Sequence, residues 1–258
     1  MRRFRGYFNY RWKWLLSMHR SKVLYIAGYG RSGSSILSRL LGAHADIVSL
    51  GEFGRLSVVA NATVKCSCGE TTEHCEFWRA AAAKGSKGFF REFKTLKALM
   101  RERPETWFVD STKTAYFDGW RPGYYLLTGY DLYVLQLTRS AKSVVESANK
   151  GRNRDLERGV PRRRRFEAAR TVFGWSFANA VAGLYRLALG RKGVCMAYED
   201  LTADPKEFLS RLGEFMGLDL EEVMVGFGSG QALPPGHEIA GNRALRESSL
   251  GLRKDRQQ

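Results

Sequence analysis

Residues 28 to 35, Gly-Tyr-Gly-Arg-Ser-Gly-Ser-Ser, constrain this chain more than any other stretch. They follow the apolar run Val23-Leu24-Tyr25-Ile26-Ala27 and precede a helical pattern of Ile36, Leu37, Leu40 and Leu41. Strand, glycine-rich turn and helix N-terminus in that order form a phosphate cradle. The glycines let the backbone curl with its N–H groups inward, and the helix dipole adds partial positive charge. The frame G-x-x-x-x-G runs from Gly28 to Gly33, but the lysine that follows it in the nucleoside-triphosphatase loop is Ser34 here. The cation sits inside the loop instead, at Arg31. Without the β/γ-phosphate lysine the loop suits a kinase or ATPase poorly, yet it can hold a different anion.

The chain has 258 residues, enough for one α/β domain with a sizeable core. We place that domain at residues 21–258, after a basic aromatic tail over 1–20. Hydrophobic residues make up 44%, which excludes a disordered chain. The net charge of +16 attracts polyanions, whether nucleic acid, anionic lipid or an anionic substrate. No helix-turn-helix, zinc-finger or RNA-recognition signature is present, so no specific nucleic acid is expected. No run of about 18 apolar residues occurs, so no spanning helix is expected. The tail, with Arg2, Arg3, Phe4, Arg5, Tyr7, Phe8, Tyr10, Arg11, Trp12 and Trp14, lacks the form of a signal peptide. It reads either as a helix lying on an anionic leaflet or as a solvated tail packing one or two aromatics on the domain. A cytoplasmic protein, touching the inner face of the membrane in the first case, is the expectation.

Four cysteines are too few for a disulfide-built fold. Three of them cluster as Cys66-Ser67-Cys68-Gly69 and Cys75, with His74 adjacent, while Cys195 falls in a strand pattern. The cluster raises zinc, but its spacing is not that of a finger or ribbon and it lacks a clear fourth ligand. A local structural knot, reduced or disulfide-closed, is the preferred reading, and no metal is assigned.

Strand patterns recur at Ile47–Leu50, Trp107–Asp110, Leu132–Leu137 and Val194–Tyr198. Helical patterns cover Phe89–Arg101, the stretch through Ser143 and Ser147, about Phe166 to Leu189, and Pro205–Met216 with proline in its first turn. The alternation predicts an α/β fold: a doubly wound, mainly parallel sheet flanked by helices. Ligands of such sheets sit beyond the carboxyl ends of the strands. The loop at 28–35, Glu52, the segment Asp110 to Lys113, and Arg139 all fall there.

A second anion element is written at the end of the fourth strand. Arg139 closes it and Ser147 follows eight residues later, on a helix face shared with Ser143. An arginine at the mouth and a serine about two turns along can grip a phosphate bidentately and from the side. Two anion elements on one sheet edge imply a ligand phosphorylated at both ends.

These segments resemble sulfotransferases that use 3′-phosphoadenosine 5′-phosphosulfate (PAPS), in particular the bacterial and Golgi-type carbohydrate sulfotransferases. Residues 24–53 resemble the 5′-phosphosulfate loop and its following segment, and residues 133–149 the 3′-phosphate element. Residues 197–217 are similar to the tyrosine-glutamate strand and helix of that family. The cysteine cluster before Phe77-Trp78 and the stretch His237 to Arg243 also look like bacterial members. The resemblance covers most of residues 22 to 246 and implies a P-loop-like sulfotransferase fold.

It further implies transfer of a sulfuryl group from PAPS to a hydroxyl of a carbohydrate, glycolipid or other small acceptor, with no metal required. Arg31 and the N–H groups of Ser32, Gly33, Ser34 and Ser35 would hold the phosphosulfate, and Arg139 and Ser147 the 3′-phosphate. Glu52 would be the base, unless it merely pairs with Arg31 or another cation. Asp110 competes as base or anchors its own turn. Lys113 either reaches the transferring sulfonate or is a surface lysine. Glu199 reads as a structural anchor. His237, Gly241, Asn242 and Arg243 would form a loop over the nucleotide, although the Trp-containing C-terminal segment of relatives is missing. The run Arg162–Arg165 is either a solvated face or a clamp for an anionic acceptor. Competing readings are a nucleotide kinase or NTPase with a degenerate loop, and a non-catalytic basic protein binding nucleic acid or membrane.

Overall fold

The computed structural model describes residues 22–58, 66–81, 88–104, 106–114, 116–149, 166–228 and 236–239. Five strands form one sheet: β1 (Lys22–Ala27), β2 (Ile47–Gly51), β3 (Trp107–Asp110), β4 (Asp131–Thr138) and β5 (Gly193–Ala197). All pairings are parallel and the order is β2-β3-β1-β4-β5. The expected α/β fold with a doubly wound parallel sheet is therefore what the chain adopts.

Parallel strands need crossovers, and helices supply them. The first half of the chain carries α1 (Ser34–Leu41), α2 (Arg55–Val58), α3 (Glu76–Ala81), α4 (Gly88–Glu102) and α5 (Arg121–Leu127). The second half carries α6 (Ala141–Asn149), α7 (Glu167–Leu189), α8 (Tyr198–Ala203), α9 (Pro205–Met216) and α10 (Glu221–Gly228). Among the described residues no helix is long and apolar enough to cross a membrane.

The strands read as continuous apolar runs because both faces are covered. Side chains alternate, so Val23, Tyr25 and Ala27 enter one core with Leu50, Phe53, Trp78 and Tyr125. Leu24 and Ile26 enter the other, with Leu37, Leu40, Leu137 and Leu209. The inner strands β1 and β3 thus have no wet face, and their polar chemistry is pushed to the strand ends. One boundary departs from expectation: β5 stops at Ala197, and Tyr198 and Glu199 open α8 rather than finish the strand. The tail 1–20 and the Arg162–Arg165 run lie outside the described residues.

Candidate active site

The phosphate loop joins β1 to α1. Its turn ends at Gly33, where φ is +85° and a Cβ would lie 2.1 Å from the Tyr198 ring, so only glycine fits. The first α1 hydrogen bond runs from Leu37 N–H to the Gly33 carbonyl at 3.0 Å. Helix geometry leaves the N–H groups of the preceding turn without intrahelical acceptors, and Gly33 has no side chain to cap them. Ser34 and Ser35 open the helix and are buried. The Ser32 hydroxyl is buried too and has no hydrogen-bond partner among the described residues. An orphaned donor beside uncapped amides fits an oxyanion.

Arg31 adopts φ +71°, and among the described residues only Lys113 and Phe166 share this left-handed conformation without being glycine. Two of these three strained positions are residues the sequence marks as chemical, which agrees with strain being held at functional sites. The Arg31 side chain leaves its own loop: Nη1 donates to the Ser147 carbonyl at 2.5 Å and to Ser147 Oγ at 3.1 Å. Arg139 Nη1 in turn donates to the Arg31 carbonyl at 2.8 Å, and its guanidinium lies 4.6 Å from the Tyr198 ring centroid. The two anion elements are therefore one connected unit, which the sequence did not say. Trp175 Nε1 holds the Arg139 carbonyl at 2.9 Å, and Glu199 accepts the Ser140 N–H at 2.8 Å as a structural anchor. Ser143 does not join the unit; its hydroxyl pairs with that of Ser140 at the start of α6.

Glu52 follows β2 directly. Gly51, at φ +68°, turns the chain where a Cβ would meet the Ile239 carbonyl at 2.6 Å. The carboxylate pairs with Lys113 through Oε1 and with Arg55 Nε through Oε2 at 3.2 Å. Burial pushes the Glu52 carboxyl up, but the Lys113 and Arg55 cations more than offset that and hold it below the usual range. Lys113 is no free surface lysine: only 12% of its side chain is exposed. Its carbonyl accepts a hydrogen bond from Tyr25, whose fully buried phenol stays protonated because burial raises its pKa well above 10. Thr114 N–H then bonds the Gly28 carbonyl at 3.1 Å, docking this segment on the phosphate loop.

Asp110 closes β3. It is fully buried, accepting from Thr112 N–H at 2.8 Å, from the Thr112 hydroxyl, and from the Tyr125 phenol at 2.7 Å. It anchors the turn through Thr112, one of the two roles the sequence offered it.

Several residues at this edge went unmarked in the sequence. Arg121 and Glu92 form a buried ion pair beneath Gly54. Glu238, within a segment that pairs with β2, accepts from Ser49 Oγ at 2.5 Å and lies 3.5 Å from Arg39. No local motif announces either pair, since the partners are separated by 29 and 199 residues. His74 does not complete the cysteine cluster: it is exposed and its ring pairs with the Thr71 hydroxyl at 2.8 Å. The His237 ring lies beside Cys66 and Cys75. Gly241, Asn242 and Arg243 lie outside the described residues.

The fold is similar to that of solved sulfotransferases. The chain is similar to a sulfotransferase domain from the curacin biosynthetic pathway, with a TM-score of 0.55 and 17% identity over 77% of this chain and 75% of that one. Similarity to the sulfotransferase STF9 from Mycobacterium avium has a TM-score of 0.54 and 14% identity over 87% and 71% of the two chains. For the sulfotransferase STF1 from Mycobacterium tuberculosis H37Rv the values are 0.53 and 14%, over 84% and 74%. No family model and no curated protein matches the sequence.

Proposed function

We propose that this protein is a PAPS-dependent sulfotransferase that sulfates a hydroxyl group. One observation carries the reading: the uncapped loop with its orphaned Ser32 hydroxyl, the Arg31–Ser147–Arg139 unit and the Glu52–Lys113 pair lie together at one sheet edge. Such an edge matches a donor with a phosphosulfate at one end and a phosphate at the other, flanked by a base.

In this reading Ser32 and the amides of Gly33, Ser34 and Ser35 bind the phosphosulfate, and Arg139 and Ser147 bind the 3′-phosphate. Arg31, bonded to Ser147, ties the two grips together. Sulfuryl transfer parallels phosphoryl transfer, with in-line displacement and catalysis by positioning and charge stabilisation. The acceptor oxygen forms a bond to sulfur, the sulfur–oxygen bond to the 5′-phosphate breaks, and Glu52 takes the acceptor proton. Lys113 neutralises Glu52 before the donor arrives. The incoming sulfonate gives that ammonium a second anion to hold, which loosens its pairing with Glu52 and raises the basicity of the carboxylate. The reaction calls for no metal in this reading, because the leaving phosphate is held by the Ser32 hydroxyl and the loop N–H groups at the positive end of α1.

An apolar groove is lined by Trp120, Phe177, Val181, Leu184, Tyr185 and Gly119, where an added Cβ would lie 3.5 Å from the Thr114 carbonyl. A groove that starts near the residue after Lys113 in the chain suits an acceptor with an apolar portion, so a glycolipid fits better than a bare sugar. The test is transfer of sulfur-35 from labelled donor onto glycolipids, glycans and phenols. Labelled acceptor and an equal amount of adenosine 3′,5′-bisphosphate are expected without added Mg²⁺. Transfer of the ATP γ-phosphate under the same conditions would replace this reading with that of a kinase.

A further inference from the structure

Beside the β2 end, three cysteines and a histidine from distant parts of the chain meet. The Sγ atoms of Cys66, Cys68 and Cys75 and a ring nitrogen of His237 all lie within 4.8 Å of one another. We propose that these four residues bind a structural zinc ion.

The spacing supports this. Cys75 Sγ is 3.7 Å from Cys66 Sγ and 3.7 Å from Cys68 Sγ, while His237 Nδ1 is 3.2 Å from Cys75 Sγ and 3.8 Å from Cys66 Sγ. A tetrahedral zinc with Zn–S of about 2.3 Å and Zn–N of about 2.0 Å requires S···S edges of about 3.8 Å and S···N edges of about 3.5 Å. Four of the six edges therefore match such a shell closely, and the two from Cys68 to Cys66 and to His237 are at most 4.8 Å. A disulfide fits less well: Cys75 is equally close to two sulfurs, and any pair leaves a third thiol and an imidazole over. All four cysteines of the chain are free thiols.

The surroundings fix the ligands independently of the ion. Gly69, at φ +99°, closes a turn in which its N–H bonds the Cys66 carbonyl at 3.1 Å, bringing Cys66 and Cys68 to one side. Phe77 stacks on the His237 ring at 5.4 Å and 6° between planes, and Trp78 Nε1 holds the His237 carbonyl at 2.7 Å. Ser67 stitches the two segments, donating to the Gly236 carbonyl at 2.6 Å and accepting the Glu238 N–H at 3.0 Å. Cys66 and Cys75 are almost fully buried, so the site is shielded from water. Four protein ligands close the shell and leave no position for substrate, which makes the ion structural.

The ion has something to hold. Ile239 N–H bonds the Leu50 carbonyl at 3.0 Å, and its own carbonyl accepts the Glu52 N–H at 2.8 Å. His237 is two residues away, so a metal there fastens the 236–239 segment against the backbone of Glu52. Binding converts three thiols to thiolates and releases their protons to the buffer, with neutral imidazole donating through Nδ1.

The full chain, purified without chelator, is to be assayed for metal, and the zinc then exchanged for Co²⁺. One zinc per chain is expected, with the red absorption bands of tetrahedral Co²⁺ and the near-ultraviolet thiolate-to-cobalt band. Removing zinc with a chelator is expected to lower the melting temperature, and adding it back to restore it. Cys68→Ser, at a half-buried ligand, is expected to shift the cobalt spectrum and weaken retention of the ion; the wild-type spectrum decides the matter even if that variant does not fold. Purified chain that holds no zinc and takes up no cobalt would overturn the proposal. So would iron in its place, or an intact mass showing a disulfide among the three cysteines. None of these outcomes depends on sulfuryl transfer.

Discussion

The two flanks of the sheet edge are built on opposite plans. On the β1–β4 side, each anion grip is local: Gly28 to Ser35 is one loop, and Arg139 and Ser147 are ends of one strand–helix unit. On the β2 side, Glu52 is positioned by its own turn (Gly51 and Arg55) and by Lys113 and Ile239, drawn from three parts of the chain. The difference follows from what each flank must do. Binding an anion needs an array of N–H groups and cations, which a turn and a helix start supply by themselves. Holding a base at one point needs restraint from several directions, and only distant segments provide that.

The plan on the β2 flank is best broken at its centre. Glu52→Gln is expected to lower kcat by about 10²–10⁴-fold, the usual worth of a general base, while adenosine 3′,5′-bisphosphate still binds. Turnover close to wild type would separate the long-range framework from the chemistry. The framework itself is tested by Glu92→Ala, which leaves Arg121 buried without its partner and should cost about 3–5 kcal/mol in denaturant unfolding. On the local flank, Arg139→Ala removes a charged donor worth about 1.5–3 kcal/mol, so bisphosphate binding should weaken by roughly ten- to 150-fold in calorimetry. Stability should change less than in Glu92→Ala, because β4 keeps its backbone pairing on both sides.

Smaller effects sharpen the contrast. With Glu52 held below its ordinary range, the carboxylate is ionised from below pH 4.5 upward, and the acid limb of kcat/KM lies there. Lys113→Met removes the main opposing cation, burial then dominates, and the limb is expected to move toward neutral pH. A pH–rate profile of the two proteins checks both position and direction. Arg55→Ala should do least, since that side chain is 53% exposed and its pairing is screened by solvent: a limb shift smaller than for Lys113→Met, and a stability change of at most about 0.5 kcal/mol.

Much of the fold was legible in the sequence because its signals are local. Five apolar runs predicted the five strands, since a sheet covered on both faces writes itself as uninterrupted hydrophobic stretches. Pro205 after Asp204 gave the start of α9, where Asp204 accepts the Glu207 N–H at 3.0 Å. The site was legible in part for the same reason. Gly33 and Arg31 could be read from spacing, and the structure adds that Arg31 reaches across to Ser147. Glu238 with Ser49, Tyr25 with Lys113, and His237 with the cysteines could not be read. Each joins residues 88 or more positions apart, and no periodicity encodes such a meeting. His74 illustrates the hazard: it sits next to Cys75 in sequence, and the fold uses a histidine 162 residues further on.

The central claim is that one donor with phosphates at both ends spans the two local grips. Titration calorimetry of adenosine 3′,5′-bisphosphate against 5′-AMP, each without Mg²⁺, tests it most directly. The expected result is binding of the bisphosphate at least about tenfold tighter, as one charged contact to the 3′-phosphate requires, with the advantage lost in Arg139→Ala. Equal affinity for the two nucleotides, or binding only with Mg²⁺, would contradict it.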